Sequence, residues 1–402
     1  MKKWDEKYIG DFIRVTSGGT PNRKKSEFFL NGSIPWVKTG DLKGKYIDNV
    51  DEYLTEDGLN SSSAKLFPEK TVLLAMYGAT IGACSILQFE AATNQACAAL
   101  LPTDFCDEIY LYYFLKSIRH ELIQLGVGGA QPNISAGIIK KIKIPLPPLE
   151  EQKLIVAILD EADKVRQLNK QLIEKYDALT QSLFLDMFGD PVTNPKGWET
   201  ITIRDLIIEA KYGTSSKASE EGQFPYLRMN NITFSGYMDF SNLKYIDVSD
   251  KEREKYTVKY GDILFNRTNS KELVGKTGII TSNTEMVIAG YLIRVRVNEL
   301  ANPYYIWGHL NSKWGKLTLQ NMCKNIVGMA NINAQELQDI KILKAPIEIQ
   351  NQFAERVKMI EIQKTQAQKA LQKSEYLFNS LLQKAFKGEL STAIHKETEM
   401  IN

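Results

Sequence analysis

Side chains that carry paired hydrogen-bond donors or acceptors gather in a few short runs of this chain. In the second half these are Arg228, Asn230 and Asn231, then Asn266, Arg267, Thr268 and Asn269 followed by Lys271, and lastly Lys324 with Asn331. The first half has Lys38 and Thr39 after a strand-like run, Tyr77 and Thr80, and Gln131 with Asn133 at the end of a Gly-rich loop. The chemistry open to such residues is recognition rather than bond-making. Arginine or lysine matches the O6 and N7 acceptors of guanine, asparagine or glutamine matches adenine, and hydroxyls, lysines and tight loops suit phosphate. Arg228 and Arg267 are the strongest single candidates, because a basic residue in a polar loop with no acidic neighbour has little structural purpose. Each residue also has a plainer reading as a solvated loop or turn residue. For Asn133 and Asn331 the plainer reading is a helix N-cap.

Bond-making chemistry finds little support. A base-gripping Asn/Asp-Pro-Pro-aromatic motif is approached by Asn302, Pro303, Tyr304 and Tyr305, but the second proline is missing, and a proline there suits the first turn of a helix. Gly275, Lys276 and Thr277 lack the upstream glycine of a phosphate-binding loop. Asp262 followed by a strand and later Lys271 is a poor nuclease constellation. His120, His309 and His395 are scattered, so a histidine-based site is not expected.

The elements that must position the polar runs are written twice. Residues 131–152 (QPNISAGIIKKIKIPLPPLEEQ) and 329–350 (MANINAQELQDIKILKAPIEIQ) match at Asn133 and Asn331, Ile134 and Ile332, Ile142 and Ile340, Pro148 and Pro346, Glu150 and Glu348, and Gln152 and Gln350. The offset is 198 throughout. Upstream, Asp262 to Phe265 answers Val72 to Ala75, Gly275 to Gly278 answers Ala79 to Gly82, and Ala289 to Tyr291 answers Thr93 to Gln95, with an offset that drifts where loops absorb insertions. Short mixed strands with one or two helices per copy predict an α+β fold of two similar domains.

A long helical stretch follows each copy. Glu150 to Phe188 contains no proline or glycine, about 39 residues, or roughly 58 Å at about 1.5 Å per residue. Heptad position a then holds Ile155, Ala162, Asn169, Tyr176 and Leu183, and position d holds Ile158, Val165, Leu172 and Leu179. The second stretch carries Phe353, Ile360, Ala367 and Leu381 at a, a poorer d frame that includes Leu377, and an apolar stripe widened by Val357, Leu371 and Phe378. The expected boundaries are a domain over 1–149, a helix over 150–188, a domain over 189–347, a helix over 348–388 and a polar tail over 389–402. The order domain, helix, domain, helix favours an antiparallel coiled coil of the two helices with a pseudo-two-fold. Removing one heptad from each would shorten such a spacer by about 10 Å. The preferred gap between two half-sites should then move by about 3 base pairs, which binding-site selection would measure.

Composition bounds the class. The 402 residues are 43% hydrophobic and 24% charged, ordinary for a folded soluble protein of two domains. No apolar run is long enough to cross a membrane and the first residues lack an apolar signal core, so a cytoplasmic protein is expected. The net charge of +2 is low for a nucleic-acid binder, which suggests that partners supply part of any basic surface. Cys84, Cys97, Cys106 and Cys323 form no metal-binding spacing and are expected as ordinary thiols; no metal site is indicated.

The run Pro145 to Val165 (PLPPLEEQKLIVAILDEADKV), then Phe188 to Glu199 (FGDPVTNPKGWE), then Leu381 to Leu390 (LLQKAFKGEL), in this modular order, resembles the DNA-specificity subunit of type I restriction–modification systems. The resemblance spans nearly the whole chain. It implies that each globular part is a target-recognition domain and that the helices are a spacer. It implies a bipartite double-stranded DNA target and no catalytic centre in this chain. It further implies assembly with two adenine-N6 methyltransferase subunits that bind S-adenosylmethionine, and with restriction/translocase subunits that use ATP and Mg. This chain would bind no cofactor itself. The competing reading is a coiled-coil adaptor whose DNA binding is incidental.

Overall fold

In the computed structural model the described residues are 4–126, 133–270, 272–326 and 329–390. The chain forms two compact units, residues 1–168 with 371–402, and residues 169–370. Each takes a domain together with half of both long helices.

In the first unit a five-stranded sheet runs in the order Val15–Ser17, Cys97–Leu100, Val72–Ala75, Cys84–Leu87, Tyr46–Ile47. A second sheet runs Tyr53–Leu54, Ile34–Val37, Ala91–Thr93, Leu66–Phe67. The central strands are apolar at every position because both faces are covered. Val72, Leu74, Ala98 and Leu100 join the main core, while Leu73, Ala75, Cys97 and Ala99 join a second core on the opposite face. The second unit repeats the plan with the order Ile207–Tyr212, Leu292–Val297, Ile263–Asn266, Thr277–Ile279. There Ile263 and Phe265 face one core and Leu264 the other. The helical stretch expected over Glu108 to Leu125 divides into Glu108–Ser117 and Arg119–Gln124. Ser117 Oγ donates to the Phe114 carbonyl at 2.7 Å and competes with the helix ladder at the break.

Both long helices form, over Leu149–Phe188 and Ile347–Phe386. In the first unit, Ile155, Leu159 and Ala162 share a core with Phe378, Leu382 and Ala385, so the beginning of one helix lies against the end of the other. In the second unit, Phe184 and Phe188 pack on Phe353, the end of the first helix against the beginning of the second. The pairing is therefore antiparallel within each unit.

The seam corrects the heptad assignment. Position a faces inward as expected: Ile155, Ala162 and Phe353 are buried, Asn169, Tyr176, Leu183 and Ile360 half-buried, Ala367 buried and Leu381 half-buried. Its partner row lies four residues further on, not three. That row holds Leu159, Arg166, Ile173 and Thr180 on the first helix, and Val357, Lys364, Leu371 and Phe378 on the second. Of the expected d row only Ile158 packs on a core. Val165 is 49% exposed, Leu172 39%, Leu179 49% and Leu377 52%. The reason is long-range. Aromatic contacts set the rotation of the helices: Tyr113 on Phe378 in one unit, Phe184 and Phe188 on Tyr305 in the other. The seam therefore accepts polar members, which pair: Lys364 bonds Asp177, and the Arg166 guanidinium lies 4.7 Å from the centre of the Phe378 ring.

The duplicated glutamines hold the helix starts. Gln152 Oε1 accepts from the Asp107 amide at 2.9 Å, and its Nε2 donates to the carbonyls of Phe105 (3.0 Å) and Pro147 (2.8 Å). Gln350 does the same with the Asn302 amide (2.8 Å) and the carbonyls of Leu300 (3.1 Å) and Ala345 (2.8 Å). Both side chains are buried. The helix N-caps anticipated at Asn133 and Asn331 are instead Ser135 and Asn333.

His309 is buried among Phe184, Trp314 and their neighbours. Burial pulls its pKa down to about 4, against a weaker opposing hydrogen bond to the Lys341 backbone. A depressed histidine favours the fold fully only above its ordinary value of 6.5, and that contribution is lost as pH falls toward about 4. The second unit should thus lose about 3 kcal/mol over that window. Denaturation at a series of pH values, followed by tryptophan fluorescence, checks this, and His309→Phe should flatten the profile. A profile equally steep in both proteins would refute it.

Candidate nucleic-acid interface

In the second unit three polar runs meet. The strand Phe224–Leu227 ends in a tight turn, Met229–Asn231, that starts at Arg228. Asn231 is only 2% exposed. Its Oδ1 accepts from the Arg228 amide at 2.9 Å, and its Nδ2 donates to the carbonyls of Asp239 (2.9 Å) and Asn242 (3.3 Å). It shapes the turn and is not free to touch a ligand. Asn230 is exposed, and Arg228 is half-buried with a long bond of 3.4 Å to the Asn242 carbonyl. Lys276 locks the turn from behind, donating to the carbonyls of Met229 (2.8 Å) and Ile232 (2.6 Å). Burial holds this lysine below its ordinary pKa.

The next run continues the strand Ile263–Asn266. Asn266 is fully buried and its amide reaches the Leu273 carbonyl at 3.5 Å, so this candidate too is structural. Arg267 is the first residue to leave the sheet. Thr268–Asn269 then pairs with Met329–Asn331, which pairs with Lys324–Ile326, setting Thr268, Asn331 and Lys324 side by side across three strands. Thr268 Oγ1 donates to Asn331 Oδ1 at 2.9 Å, and Asn269 Nδ2 lies 3.8 Å from Met229 Sδ. Lys271 lies outside the described residues.

The first unit builds a smaller group. Tyr77 is exposed and bridges to Asn133, and Thr80 Oγ1 donates to the Tyr77 carbonyl at 2.9 Å. Gln131 lies outside the described residues. Lys38 and Thr39 are half-buried on the separate turn Thr39–Asp41. The Lys38 ammonium is paired with Glu52, which also binds Arg23. Burial pushes the Glu52 pKa up, but the hydrogen bonds from Lys38 and Arg23 outweigh it and hold the carboxyl low. Lys38 is thus already neutralised.

Hydrogen bonds correct the alignment of the two copies. The Met76 amide donates to Ala96 and its carbonyl accepts from Ile134, as the Arg267 amide donates to Tyr291 and its carbonyl accepts from Ile332. Gly82 and Gly275 occupy the same place with φ of +78° and +77°. A Cβ on Gly18 would come within 1.9 Å of the Thr93 carbonyl oxygen, and one on Gly213 within 2.1 Å of that of Ile288. The true counterparts are therefore Arg267 and Met76, Thr268 and Tyr77, Ala289 and Asn94, and Gly275 and Gly82. The matches read along the sequence were out of step because loops of unequal length intervene.

The roles of three residues escape a reading of the sequence, although Lys276 and Tyr291 stand in runs noted there for other reasons. Tyr212 lies beneath Arg267, Tyr291 is exposed beside it in the chain trace, and Lys276 props the turn. Their one available signal was position, Tyr212 standing just before the close-approach Gly213. Among the described residues no cluster of metal-ligating side chains occurs, and no helix is long and apolar enough to cross a membrane. The four cysteines are unbridged.

Comparison with known proteins adds the following. The family model of the type I restriction modification DNA specificity domain matches twice, over residues 1–176 and 195–374. The chain is 25% identical over 384 residues to the type I restriction enzyme EcoKI specificity subunit of Escherichia coli strain K12, covering 89% of this chain and 82% of the relative. It is 25% identical over 421 residues to the StySPI specificity subunit of Salmonella potsdam, covering 96% and 89%. Its fold is similar to that of the type I restriction-modification system S subunit from M. genitalium, with a TM-score of 0.55 and 17% identity over 95% of this chain and 96% of that one.

Proposed function

The chain belongs to the type I restriction–modification DNA-specificity family, and from that premise we propose that it reads a bipartite double-stranded DNA sequence and positions partner subunits on it. Each unit contributes one half of the readout. The observation that carries this is a duplicated framework with unlike heads: beside the shared Asn331 and Asn133, Arg267 and Thr268 in one copy stand where the other has Met76 and Tyr77. Two readers built alike but chemically different would select two different short sequences.

In this proposal the chain is a non-catalytic cytoplasmic subunit that binds no cofactor of its own. Two adenine-N6 methyltransferase subunits bring S-adenosylmethionine, and restriction/translocase subunits bring ATP and Mg. Within the second unit, exposed leucines of the first long helix, such as Leu172 and Leu179, offer partner subunits an apolar surface. Mobility-shift assays of the chain with its methyltransferase partner test the reading. A split sequence should be preferred over random duplex, and no preference would refute it. The adaptor alternative requires Arg228→Ala and Arg267→Ala to leave all DNA binding unchanged.

A further inference from the structure

Arg267 is held through its backbone and through its side chain. Its backbone is fixed on both sides, by the Tyr291 carbonyl at 3.0 Å and the Ile332 amide at 2.9 Å. Its guanidinium carbon lies 4.8 Å from the centre of the Tyr212 ring. That ring is anchored in turn, the Tyr212 hydroxyl accepting from the Ala334 amide at 2.8 Å. The Nε atom is buried with no hydrogen-bond partner, and among the described residues the side chain forms no ion pair. Beside it Thr268 and Asn331 are tied to each other. Stacking on an anchored ring limits the orientations open to the guanidinium before any ligand arrives, while its terminal Nη donors stay unspent. Such a fork matches two acceptors set side by side, and immobilisation beforehand reduces the entropy lost on binding.

Resting on the DNA-reading function above, we infer that Arg267 is the specificity-determining residue for a guanine in the half-site read by the second unit, donating to its O6 and N7. Phosphate is the competing acceptor pair. A guanidinium can meet phosphate bidentately as well, but a phosphate accepts from many directions, whereas two acceptors fixed in the plane of a base edge reward a fork whose orientation is set beforehand. The first unit holds buried Met76 at the equivalent place, so its half-site has no guanine read from this position.

The test is selection from a duplex library randomised across both halves and the gap, using the full chain with its methyltransferase partner. The wild type should select two short sequences. Arg267→Gln should erase the preference at one position of one half, a guanine, by roughly 5- to 150-fold, and leave the other half unchanged. Arg267→Lys keeps the charge and can still donate to O6 and N7, but without the planar fork; it should weaken the guanine preference less than Arg267→Gln does, while the salt dependence of binding stays as it was. Replacing that guanine by 7-deazaguanine should weaken the wild type and leave Arg267→Gln unaffected. Uniform weakening of every sequence by Arg267→Gln, with a salt slope lower by about one, would mean a phosphate contact and overturn the inference. So would an unchanged selected sequence or a base other than guanine at the affected position. If the wild type selects no split sequence, the DNA-reading function itself fails, an outcome separate from these.

Discussion

Replacing Gln152 by leucine is expected to destabilise the first unit by about 3–6 kcal/mol. The side chain would no longer pair with the Asp107 amide or the Phe105 and Pro147 carbonyls; the bond to Pro147 is buried and the other two are partly buried. Each backbone group left unpaired in that setting costs about 1–3 kcal/mol. Domain stabilities are only about 5–15 kcal/mol, so the loss is close to disabling. Gln350→Leu should act equally, but on the second unit. The damage spreads because Asp107 also caps the helix Glu108–Ser117, accepting from the amides of Ile109 (2.9 Å) and Tyr110 (3.0 Å). Chemical denaturation with hydrogen exchange at the Asp107 amide is the measurement. Gln152→Glu sharpens it. A carboxylate there keeps the acceptor for Asp107 but faces two carbonyls, so the variant should recover partly as pH is lowered and its carboxyl gains a proton. Unchanged denaturation midpoints and an unchanged exchange rate at Asp107 would sink the idea that these glutamines are latches.

Arg294→Leu should destabilise the second unit by about 3–5 kcal/mol, the range for breaking a buried ion pair from one side. Arg294 is 1% exposed. It bonds Glu209 at 2.7 Å and the Thr257 carbonyl at 2.5 Å. Arg296 completes the group, bidentate to Asp262 at 2.9 and 3.1 Å. Burial raises the pKa of Glu209, but bonds from Lys211 and Arg294 and the two arginine charges prevail and hold it low. A depressed carboxylate stabilises the fold above its ordinary value of 4.5, and that contribution disappears as pH falls through the folded value. Without Arg294 the loss should begin at higher pH, so the acid limb of the stability profile moves upward. Strand Ile207–Tyr212 carries Glu209 at its middle and the Arg267 ledge at its end. DNA discrimination in one half should therefore weaken together with stability. An acid limb and midpoint equal to wild type would show that Arg296 alone suffices.

Much of the framework was legible because it is duplicated. The offset of 198 shared by Asn133 and Asn331 and by Gln152 and Gln350 marks the conserved geometry, and both glutamines prove to make equivalent bonds. Both long helices were evident from the absence of proline and glycine, and their position a from its apolar residues. The second row of the seam was not. Val165, Leu172 and Leu179 look as suitable as Leu159 or Ile173 when only local periodicity is weighed. Among the polar runs, no local signal separates Asn266 from Arg267, although one is buried and its neighbour stacks on Tyr212.

The sequence by itself determined that there are two like modules, each followed by a long helix, with unlike polar loops. These follow from composition and spacing, which act within a few turns of the chain. Only the tertiary structure decided which helix face turns inward and which polar heads remain free to meet a ligand. Those outcomes depend on rings such as Phe378, Tyr305 and Tyr212, brought from distant parts of the chain, whose contacts outweigh differences of one residue in register.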